Sequence, residues 1–526
     1  MPKYTLEAAA RKQNEIQGSL KSQQQKFLLP AFHAFSPAGW CNDPNGFSFF
    51  GGKCHLFFQY HPYSTQWGPM HWGHFCTSDF VRWEILEPAL APDSASDCEG
   101  CFSGTAIEFK GRHILVYTGV SKNAKGETLQ NQCLAEGDGL CYKKFPHNPV
   151  ISAADVPFEF QKGDFRDPKL WRENGKFYMA CVLKLPDGKG VLVCFRSENL
   201  LDWKFVSVID KSRGKSGMWE CPDIFKLGGK DVVIFSPQEM KADFDNGLHN
   251  GNNSVYMTGI LKRPEFVFER EMRTENSLDF AQIDGGIDFY APQTCLAPDG
   301  RRIMIAWMQN WESYIMPKNY LWSGMMTFPR ELELKNGKFF QNPVRELLSY
   351  RKNCESGVVC GTSGFTKNEF SHGDIELNLF SDFENSANCK NPNEKFSLVL
   401  SRNISGKNFS VEFTCDFVEQ TLCFDRRNSV DGGGKINFRK MKLPPSSFSH
   451  EESAHGKKIS MRILIDSCSM EVFVNGGEAA FTNAFFLMPA PKPSVNEKFF
   501  GDFENSETLE MSVSGNVRAE YKVFEI

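Results

Sequence analysis

The chain has 526 residues, of which 41% are hydrophobic and 23% charged, which indicates a globular protein of two or more domains. Its formal net charge of -5 argues against nucleic acid or an anionic membrane surface as a partner. No segment approaches the ~18 continuous apolar residues of a membrane span, so no membrane partner is predicted.

Residues 1–29 are predicted to form a polar N-terminal arm or helix, because Leu6, Ala9, Ile16 and Leu20 give only a thin apolar stripe. The segment lacks the apolar core of a secretory signal, so a cytoplasmic location is expected unless a signal has been removed. The 17 cysteines are scattered, which favours reduced thiols and predicts no metal site.

A short unit recurs five times between residues 30 and 345. Each copy has an apolar segment, a glycine followed by a basic residue, and a second apolar segment. Both segments are rich in β-branched and aromatic residues, so each copy predicts a β-hairpin. The turn glycines are Gly52, Gly111, Gly175, Gly229 and Gly300. Their spacings leave room for four strands per unit, which predicts a five-bladed β-propeller over residues 30–345.

The pattern changes in residues 346–526. Segments such as 396–403, 409–417 and 469–477 alternate apolar and polar residues and are separated by clusters of Gly, Asn, Asp and Ser. This alternation is typical of an antiparallel β-sandwich with one buried face per sheet. The predicted fold is therefore all-β, a five-bladed β-propeller followed by a C-terminal β-sandwich domain with its linker.

Polar motifs stand 8–10 residues before the turn glycines. The first contains Asp43, the third contains Arg166 and Asp167, and the fourth contains Glu220. Equivalent positions of equivalent blades lie around one end of the central channel. The three carboxylates are therefore expected to converge, although up to 177 residues separate them.

Three converging carboxylates indicate glycoside cleavage. One carboxylate attacks or stabilises the oxocarbenium-like centre, and a second, protonated one donates a proton to the leaving oxygen. Mutual repulsion separates their pKa values and keeps one protonated near neutral pH. A third acid could bind sugar hydroxyls, with Arg166 keeping Asp167 ionised. Aromatic faces suited to sugar rings are offered by Trp67, Trp72, Trp219 and Trp307.

The ordered motifs around these residues resemble those of glycoside hydrolase family 32, from about residue 30 to the end. Asp43 matches the nucleophile of that family, Glu220 the acid/base, and Asp167 the group that stabilises the transition state. The resemblance implies a retaining β-fructofuranosidase that needs neither cofactor nor metal. It also implies that the fructose subsite is formed by Asn42, Gln59, Trp67, Phe102, Ser103, Arg166 and Trp307.

The partner expected from this resemblance is a small carbohydrate, namely sucrose, sucrose-6-phosphate or a short fructan. A fructosyltransferase using the same site, or a non-catalytic sugar-binding protein on the same scaffold, remains an alternative. A 6-phosphate would need a cation at the rim of the funnel, for which the candidates are Lys143, Lys144, Lys169 and Arg213. The oligomeric state is not predicted.

Overall fold

The computed structural model describes residues 3–22, 29–213, 216–243, 247–271, 280–313, 320–381, 393–429, 436–450, 457–488 and 507–526. Within these ranges the chain is built almost entirely from β-strands. Five small, mainly antiparallel sheets come first along the chain, and two larger sheets follow. No helix in the described ranges is both long and apolar enough to cross a membrane.

An α-helix, α1 (Leu6–Ser22), precedes the sheets. Thr5 caps its first turn, where the Thr5 hydroxyl accepts a hydrogen bond of 3.2 Å from the backbone of Ala8. Ala9 and Ile16 are buried, and the amide of Gln13 donates to the carbonyl of Leu86 at 2.9 Å. The thin apolar stripe therefore lies against the first sheet.

The five small sheets are the blades of the propeller. The first contains β1 (Gly39–Phe50), β2 (Lys53–His61), β3 (His71–Thr77) and β4 (Glu84–Leu90). The second contains β5 (Gly100–Phe109), β6 (Arg112–Lys122), β7 (Thr128–Gly137) and β8 (Tyr142–Lys144). The third contains β9 (Phe165–Glu173), β10 (Lys176–Lys184), β11 (Gly190–Ser197) and β12 (Trp203–Lys211).

The fourth sheet contains β13 (Trp219–Leu227), β14 (Lys230–Pro237), β15 (Val255–Lys262), β16 (Val267–Arg270) and β17 (Ala281–Gln282). The fifth contains β18 (Tyr290–Leu296), β19 (Arg302–Trp307), β21 (Arg330–Lys335) and β22 (Lys338–Pro343). The short strand β20 (Trp322–Ser323) lies between β19 and β21 in the sequence, but it pairs in parallel with β1 of the first sheet. The last blade is thus hydrogen-bonded to the first, which closes the ring.

Each predicted glycine turn joins the first two strands of a separate blade. The five turn glycines have φ between 72° and 87°, a backbone conformation that residues with a side chain rarely adopt. A Cβ atom added at any of them would meet nothing within 4 Å. The turn therefore requires glycine for its backbone angle and not for lack of space.

The first strand of every blade also carries a bulge at its polar motif. The register with the second strand shifts between Cys41 and Pro44 in β1, and between Glu220 and Asp223 in β13. Comparable shifts occur in β5, β9 and β18. Four of the five motifs place a proline at the bulge, where its missing N–H costs no ladder hydrogen bond. A bulge re-aims the neighbouring side chains, here toward the central channel.

Two larger sheets form the C-terminal sandwich, as predicted. The strands that build them are β23 (Lys352–Cys360), β24 (Phe365–Asn368), β25 (Gly373–Ser381), β26 (Lys395–Ile404), β27 (Lys407–Asp416), β28 (Thr421–Asp425), β29 (Phe438–Lys442), β30 (Ser449–His450), β31 (Lys457–Asp466), β32 (Ser469–Val474), β33 (Ala479–Ala484), β34 (Glu507–Ser514) and β35 (Val517–Glu525). One sheet has the order β23-β35-β25-β31-β32-β33, with β30 beside β31, and the other has β24-β34-β26-β27-β28-β29. Short 3-10 helices cover Ala153–Asp155, Arg345–Tyr350 and Pro445–Ser447.

The propeller and the sandwich share a continuous interface. The backbone of residues 285–288 hydrogen-bonds to β33, and a Cβ atom at Gly286 would overlap the backbone of Thr482. Behind this contact, the buried Arg330 pairs with Asp284 of the propeller and Glu471 of the sandwich. One apolar core runs from the first and fifth blades into the sandwich.

Candidate active site

A cavity of about 480 Å³ opens where the first strands of the five blades converge. It is lined by Asn42, Asp43, Gln59, Trp67, Phe102, Ser103, Gln130, Asp164, Arg166, Asp167, Glu220, Gln238, Asn252 and Trp311. The three predicted catalytic carboxylates therefore lie in one cavity, as do six of the seven predicted substrate-binding residues.

The bulges explain why these residues meet. The position before the proline, or its equivalent, holds Asp43, Ser103, Asp167, Cys221 and Ala291 in the five blades. The position before that holds Asn42, Phe102, Arg166, Glu220 and Tyr290. Asp167 and Cys221 have φ of 60° and 47°, which costs energy for residues with a side chain and persists where the surroundings enforce it. Seven of these ten side chains line the cavity, so one repeated backbone geometry supplies most of the site.

Asp43 has one oxygen held and one oxygen without a partner. Its Oδ2 accepts hydrogen bonds from the hydroxyl of Ser103 at 2.9 Å and from the thiol of Cys221 at 3.4 Å. Its Oδ1 is buried and has no hydrogen-bond partner among the described residues. Burial raises the pKa of Asp43 to about 6, and the charge of Glu220 adds to the rise. Burial also raises the pKa of Cys221, so that thiol remains a donor.

Asp167 is fixed by the backbone of the next blade. Its Oδ2 accepts a hydrogen bond of 2.9 Å from the backbone N–H of Cys221, and its own N–H donates to the hydroxyl of Thr118 at 3.0 Å. Burial raises the pKa of Asp167, while the adjacent Arg166 charge opposes the rise. The carboxylate therefore lies between two blades with its orientation set from both sides.

Glu220 receives a donor on each of its carboxylate oxygens. Arg166 Nη2 donates to Oε1 at 3.1 Å, and the hydroxyl of Tyr290 donates to Oε2 at 2.6 Å. Arg166 is in turn oriented by Asp164, which accepts from Nη1 at 2.6 Å. Burial raises the pKa of Tyr290, so its hydroxyl stays protonated. A hydroxyl can donate to a carboxylate and accept from a carboxylic acid, so this contact suits both protonation states of Glu220.

The predicted sugar-binding residues form the walls of the cavity. Asn42 accepts a hydrogen bond of 2.7 Å from the indole N–H of Trp40, and Gln59 donates to the carbonyl of Cys101 at 3.1 Å. Trp67 is 50% exposed and meets the edge of Phe102 at a ring-centroid distance of 6.0 Å. The exposed indole gives one wall an aromatic face.

The prediction for Trp307 differs from the structure. Trp307 is fully buried beneath the site, because its position on β19 faces Tyr290 across the bulge of β18 and turns its ring into the core. Trp311, four residues later and 39% exposed, lines the cavity instead. Trp311 stacks on Trp40 with ring centroids 5.8 Å apart.

Several cavity residues were not among the predicted ones. They are Gln130, Asp164, Gln238, Asn252 and Trp311. Tyr290, the hydrogen-bond partner of Glu220, was not predicted either. Tyr290 occupies the same motif position as Glu220, so the repeat itself carried a signal for it. Gln130, Gln238 and Asn252 come from later strands and loops, where no repeated motif marks them.

Polar side chains fill the channel beneath the cavity. Lys169 follows the bulge of β9, two residues after Asp167, and its ammonium group donates to the carbonyl of Thr294 in the fifth blade at 3.3 Å. Its ammonium group is 2.7 Å from Asp223, and both residues are buried. Asn45 of the first blade accepts a hydrogen bond of 3.2 Å from the backbone of Gly104 in the second. Gln293 of the fifth blade donates to the carbonyl of the same Gly104 at 3.1 Å, and because these two blades are not neighbours, this contact crosses the channel. The cavity is therefore closed at its lower end.

The four cations considered for a phosphate group do not line the cavity. Lys169 is used by the buried ion pair just described. Lys144 pairs with Asp93 and Asp97, and Lys143 lies on β8, the strand of its blade farthest from β5. Arg213 is exposed after β12. In the described ranges, no group of three or more His, Cys, Asp or Glu side chains could hold a metal ion.

Comparison with known protein families gives two matches that together span most of the chain. The model of the glycosyl hydrolases family 32 N-terminal domain matches residues 33–343. The model of the glycosyl hydrolases family 32 C-terminal domain matches residues 346–518.

Individual relatives agree with the family match. A sucrose-6-phosphate hydrolase of Zymomonas mobilis is 36% identical over 465 residues, covering 85% of this chain and 83% of the relative. A raffinose invertase of Escherichia coli is 33% identical over 483 residues, covering 89% and 91%. A Bombyx mori GH32 β-fructofuranosidase of known structure superposes with a TM-score of 0.78 at 28% identity, covering 98% of both chains.

Proposed function

Because the chain belongs to glycoside hydrolase family 32, we propose that it is a β-fructofuranosidase that cleaves the terminal fructosyl bond of small sucrose-type sugars with retention of configuration. The names of its relatives support this substrate class: a sucrose-6-phosphate hydrolase, a raffinose invertase and a β-fructofuranosidase. The observation that carries the proposal is the convergence of Asp43, Asp167 and Glu220 in one cavity.

In the first step, Asp43 acts as the nucleophile. Ser103 and Cys221 hold its Oδ2, which leaves Oδ1 to attack the anomeric carbon C2 of the fructosyl group. A bond forms between Oδ1 and C2 while the bond from C2 to the leaving oxygen breaks. Attack requires the ionised carboxylate, so the pKa of about 6 implies that activity falls in more acidic solution.

Glu220 supplies the proton that the leaving oxygen takes up in this step. In the second step it accepts a proton from water, whose oxygen attacks C2 and releases Asp43. Tyr290 and Arg166 keep the Glu220 side chain in place through both steps. Asp167 is assigned to the fructosyl hydroxyls, because its fixed carboxylate can accept hydrogen bonds that strengthen in the transition state.

Hydrolysis is favoured over the two alternatives. The three relatives described above are named as a sucrose-6-phosphate hydrolase, a raffinose invertase and a β-fructofuranosidase. These names do not favour a fructosyltransferase. A sugar-binding protein without activity gains nothing from three carboxylates crowded into one cavity, since their mutual repulsion and partial burial cost free energy. The cytoplasmic location stays a prediction.

Among the described residues, the lining of the cavity favours an uncharged substrate over a phosphorylated one. Within the described part of the chain, Arg166 is the cation that lines the cavity, and it already binds Asp164 and Glu220. A phosphate group bound there would have to displace a carboxylate. We therefore expect a higher kcat/KM for sucrose than for sucrose-6-phosphate, measured side by side.

A leaving-group series tests the assigned roles. Asp43→Ala should lose activity on every fructoside, whereas Glu220→Ala should lose roughly 10²–10⁴-fold on sucrose and far less on a fructoside whose leaving group needs no proton. Azide should partly restore turnover of Glu220→Ala and give a fructosyl azide of β configuration. Asp93→Ala, which removes a carboxylate outside the cavity, serves as the control. Recovery of the Asp43 variant instead of the Glu220 variant would show that the two roles are reversed.

A further inference from the structure

A buried arginine of the sandwich reaches into the propeller near the active site. Arg426 follows β28, and its side chain is fully buried. Its Nη1 donates to Asp288 Oδ2 and to the carbonyl of Ala484, both at 2.6 Å. Its Nη2 donates to the carbonyl of Ser313 at 3.1 Å and to that of Ile436 at 2.8 Å. One guanidinium group therefore joins two propeller segments to two sandwich segments.

The first propeller segment leads to Glu220. Asp288 is two residues before Tyr290, whose hydroxyl donates to Glu220 at 2.6 Å. The Asp288 carboxylate is held on both oxygens, because Ser313 Oγ donates to Oδ1 at 2.7 Å while Arg426 holds Oδ2. The start of β18, and with it the tyrosine, is thus anchored to the sandwich.

The second propeller segment carries a wall of the cavity. Residues 310–313 form a turn closed by a hydrogen bond of 3.0 Å from the Ser313 N–H to the Asn310 carbonyl. Trp311 lies in this turn and lines the cavity. The turn is tied to the fourth blade, where Asn310 donates to the carbonyl of Asn252 at 2.8 Å, and to the sandwich through Ser313 and Arg426.

We propose that Arg426 is a positioning residue for catalysis, through which the sandwich sets both the Tyr290 contact with Glu220 and the place of Trp311 in the cavity wall. The proposal rests on the proposed function, because it assigns Glu220 as the acid/base. It gives the C-terminal domain a part in the geometry of the active site in addition to its part in stability.

A second buried arginine at the same interface provides a matched control. Arg439, on β29, donates to the carbonyl of Gly285 at 3.0 Å and to that of Gly247. Neither of these carbonyls belongs to a residue that lines the cavity. Loss of Arg439 removes a comparable buried cation from the interface without touching Asp288 or Ser313.

The test compares Arg426→Met and Arg439→Met at a temperature where both are folded by circular dichroism. We expect kcat/KM on sucrose to fall roughly 10- to 100-fold in Arg426→Met, since small displacements of catalytic groups have effects of this size. The loss of kcat/KM in Arg426→Met should be smaller on an activated fructoside, because the misplaced Tyr290 affects proton delivery to the leaving oxygen. The KM of this variant should rise, because Trp311 is displaced as well. Arg439→Met should keep the kinetic constants of the wild type.

Wild-type kinetics in folded Arg426→Met, or equal losses in the two arginine variants, would overturn the proposal. Should Arg426→Met fail to fold, Ser313→Ala provides a second test, because it removes the hydroxyl bond to Asp288 and keeps the arginine. A raised KM for Ser313→Ala supports the proposal, and an unchanged KM and kcat contradict it. A wild-type protein that releases no fructose from sucrose would refute the proposed function instead, so the two failures are distinguishable.

Discussion

Because of His33, the stability of this protein should decrease as the pH rises into the alkaline range. It is fully buried between the propeller and the sandwich, with Nδ1 2.7 Å from Asp466 and Nε2 2.9 Å from Glu471. Burial alone would lower the pKa of His33, but hydrogen bonds and charge attraction from the two carboxylates outweigh it and raise the pKa to about 9. Both ring nitrogens then donate, as an imidazolium requires.

The size of the effect follows from the difference between the folded and unfolded pKa values. Raising the pKa of His33 from 6.5 to about 9 corresponds to about 3 kcal/mol of stability. Because the folded value is the higher one, this contribution is fully present below pH ~6.5 and is lost as the pH rises through about 9.

The measurement is urea unfolding of the wild type and His33→Gln between pH 6 and pH 10. The wild type should be more stable than the variant by about 3 kcal/mol at pH 6, and this difference should shrink toward pH 10. His113→Gln is the matched control, because His113 is buried without a carboxylate partner and burial lowers its pKa to about 3. Its stability difference from the wild type should not shrink toward pH 10, because a buried neutral histidine contributes no stability that is lost at alkaline pH. A His33 difference that is equally large at pH 6 and pH 10 would refute the reasoning.

Three other variants test separate features of the site. Ser103→Ala removes a hydrogen bond that lowers the pKa of Asp43, so the acidic limb of the pH profile of kcat/KM should move to higher pH; an unmoved limb would contradict this role. Trp311→Ala should raise KM for sucrose roughly 2- to 10-fold through the lost aromatic face, and an unchanged KM would show that the indole does not contact the sugar. Lys169→Met should destabilise the protein by about 3–5 kcal/mol in urea unfolding, because it leaves Asp223 buried without its cation, whereas Lys169→Met with Asp223→Asn should recover much of that loss; no recovery would contradict an ion-pair role.

The architecture could be predicted because its signal is local and repeated. Each blade needs a glycine with a positive φ at the same turn, so Gly52 and its four equivalents mark the blades in the sequence. The bulges at Asp43, Asp167 and Glu220 could not be predicted from a local sequence signal of this kind. They depend on the pairing of two strands, although the proline that follows each motif is compatible with them.

The structure of the site differs from the sequence-based predictions for two reasons. One is the direction in which a side chain points, and the other is contact between residues that are far apart in the sequence. Trp307 and Trp311 have the same chemistry, and only the bulge of β18 and the turn at residues 310–313 decide which indole faces the cavity. The direction of Lys169 has no simple local signal either, because the bulge of β9 at Asp167 interrupts the alternation of side chains along the strand. The pairing of Lys144 with Asp97, 47 residues apart in the sequence, has no local signal.

Because polar side chains fill the channel beneath the cavity, a sugar can enter and leave the active site only through the open end of the cavity. With Lys169 and Asp223 closing the floor, a polymer cannot thread through the ring, and only the end of a fructan chain can reach Asp43. The freed fructose must leave by the route through which the next substrate arrives. We therefore expect long fructans to be shortened by single sugars from their tips, and fructose to inhibit competitively. Oligosaccharides among the first products of inulin would contradict this expectation.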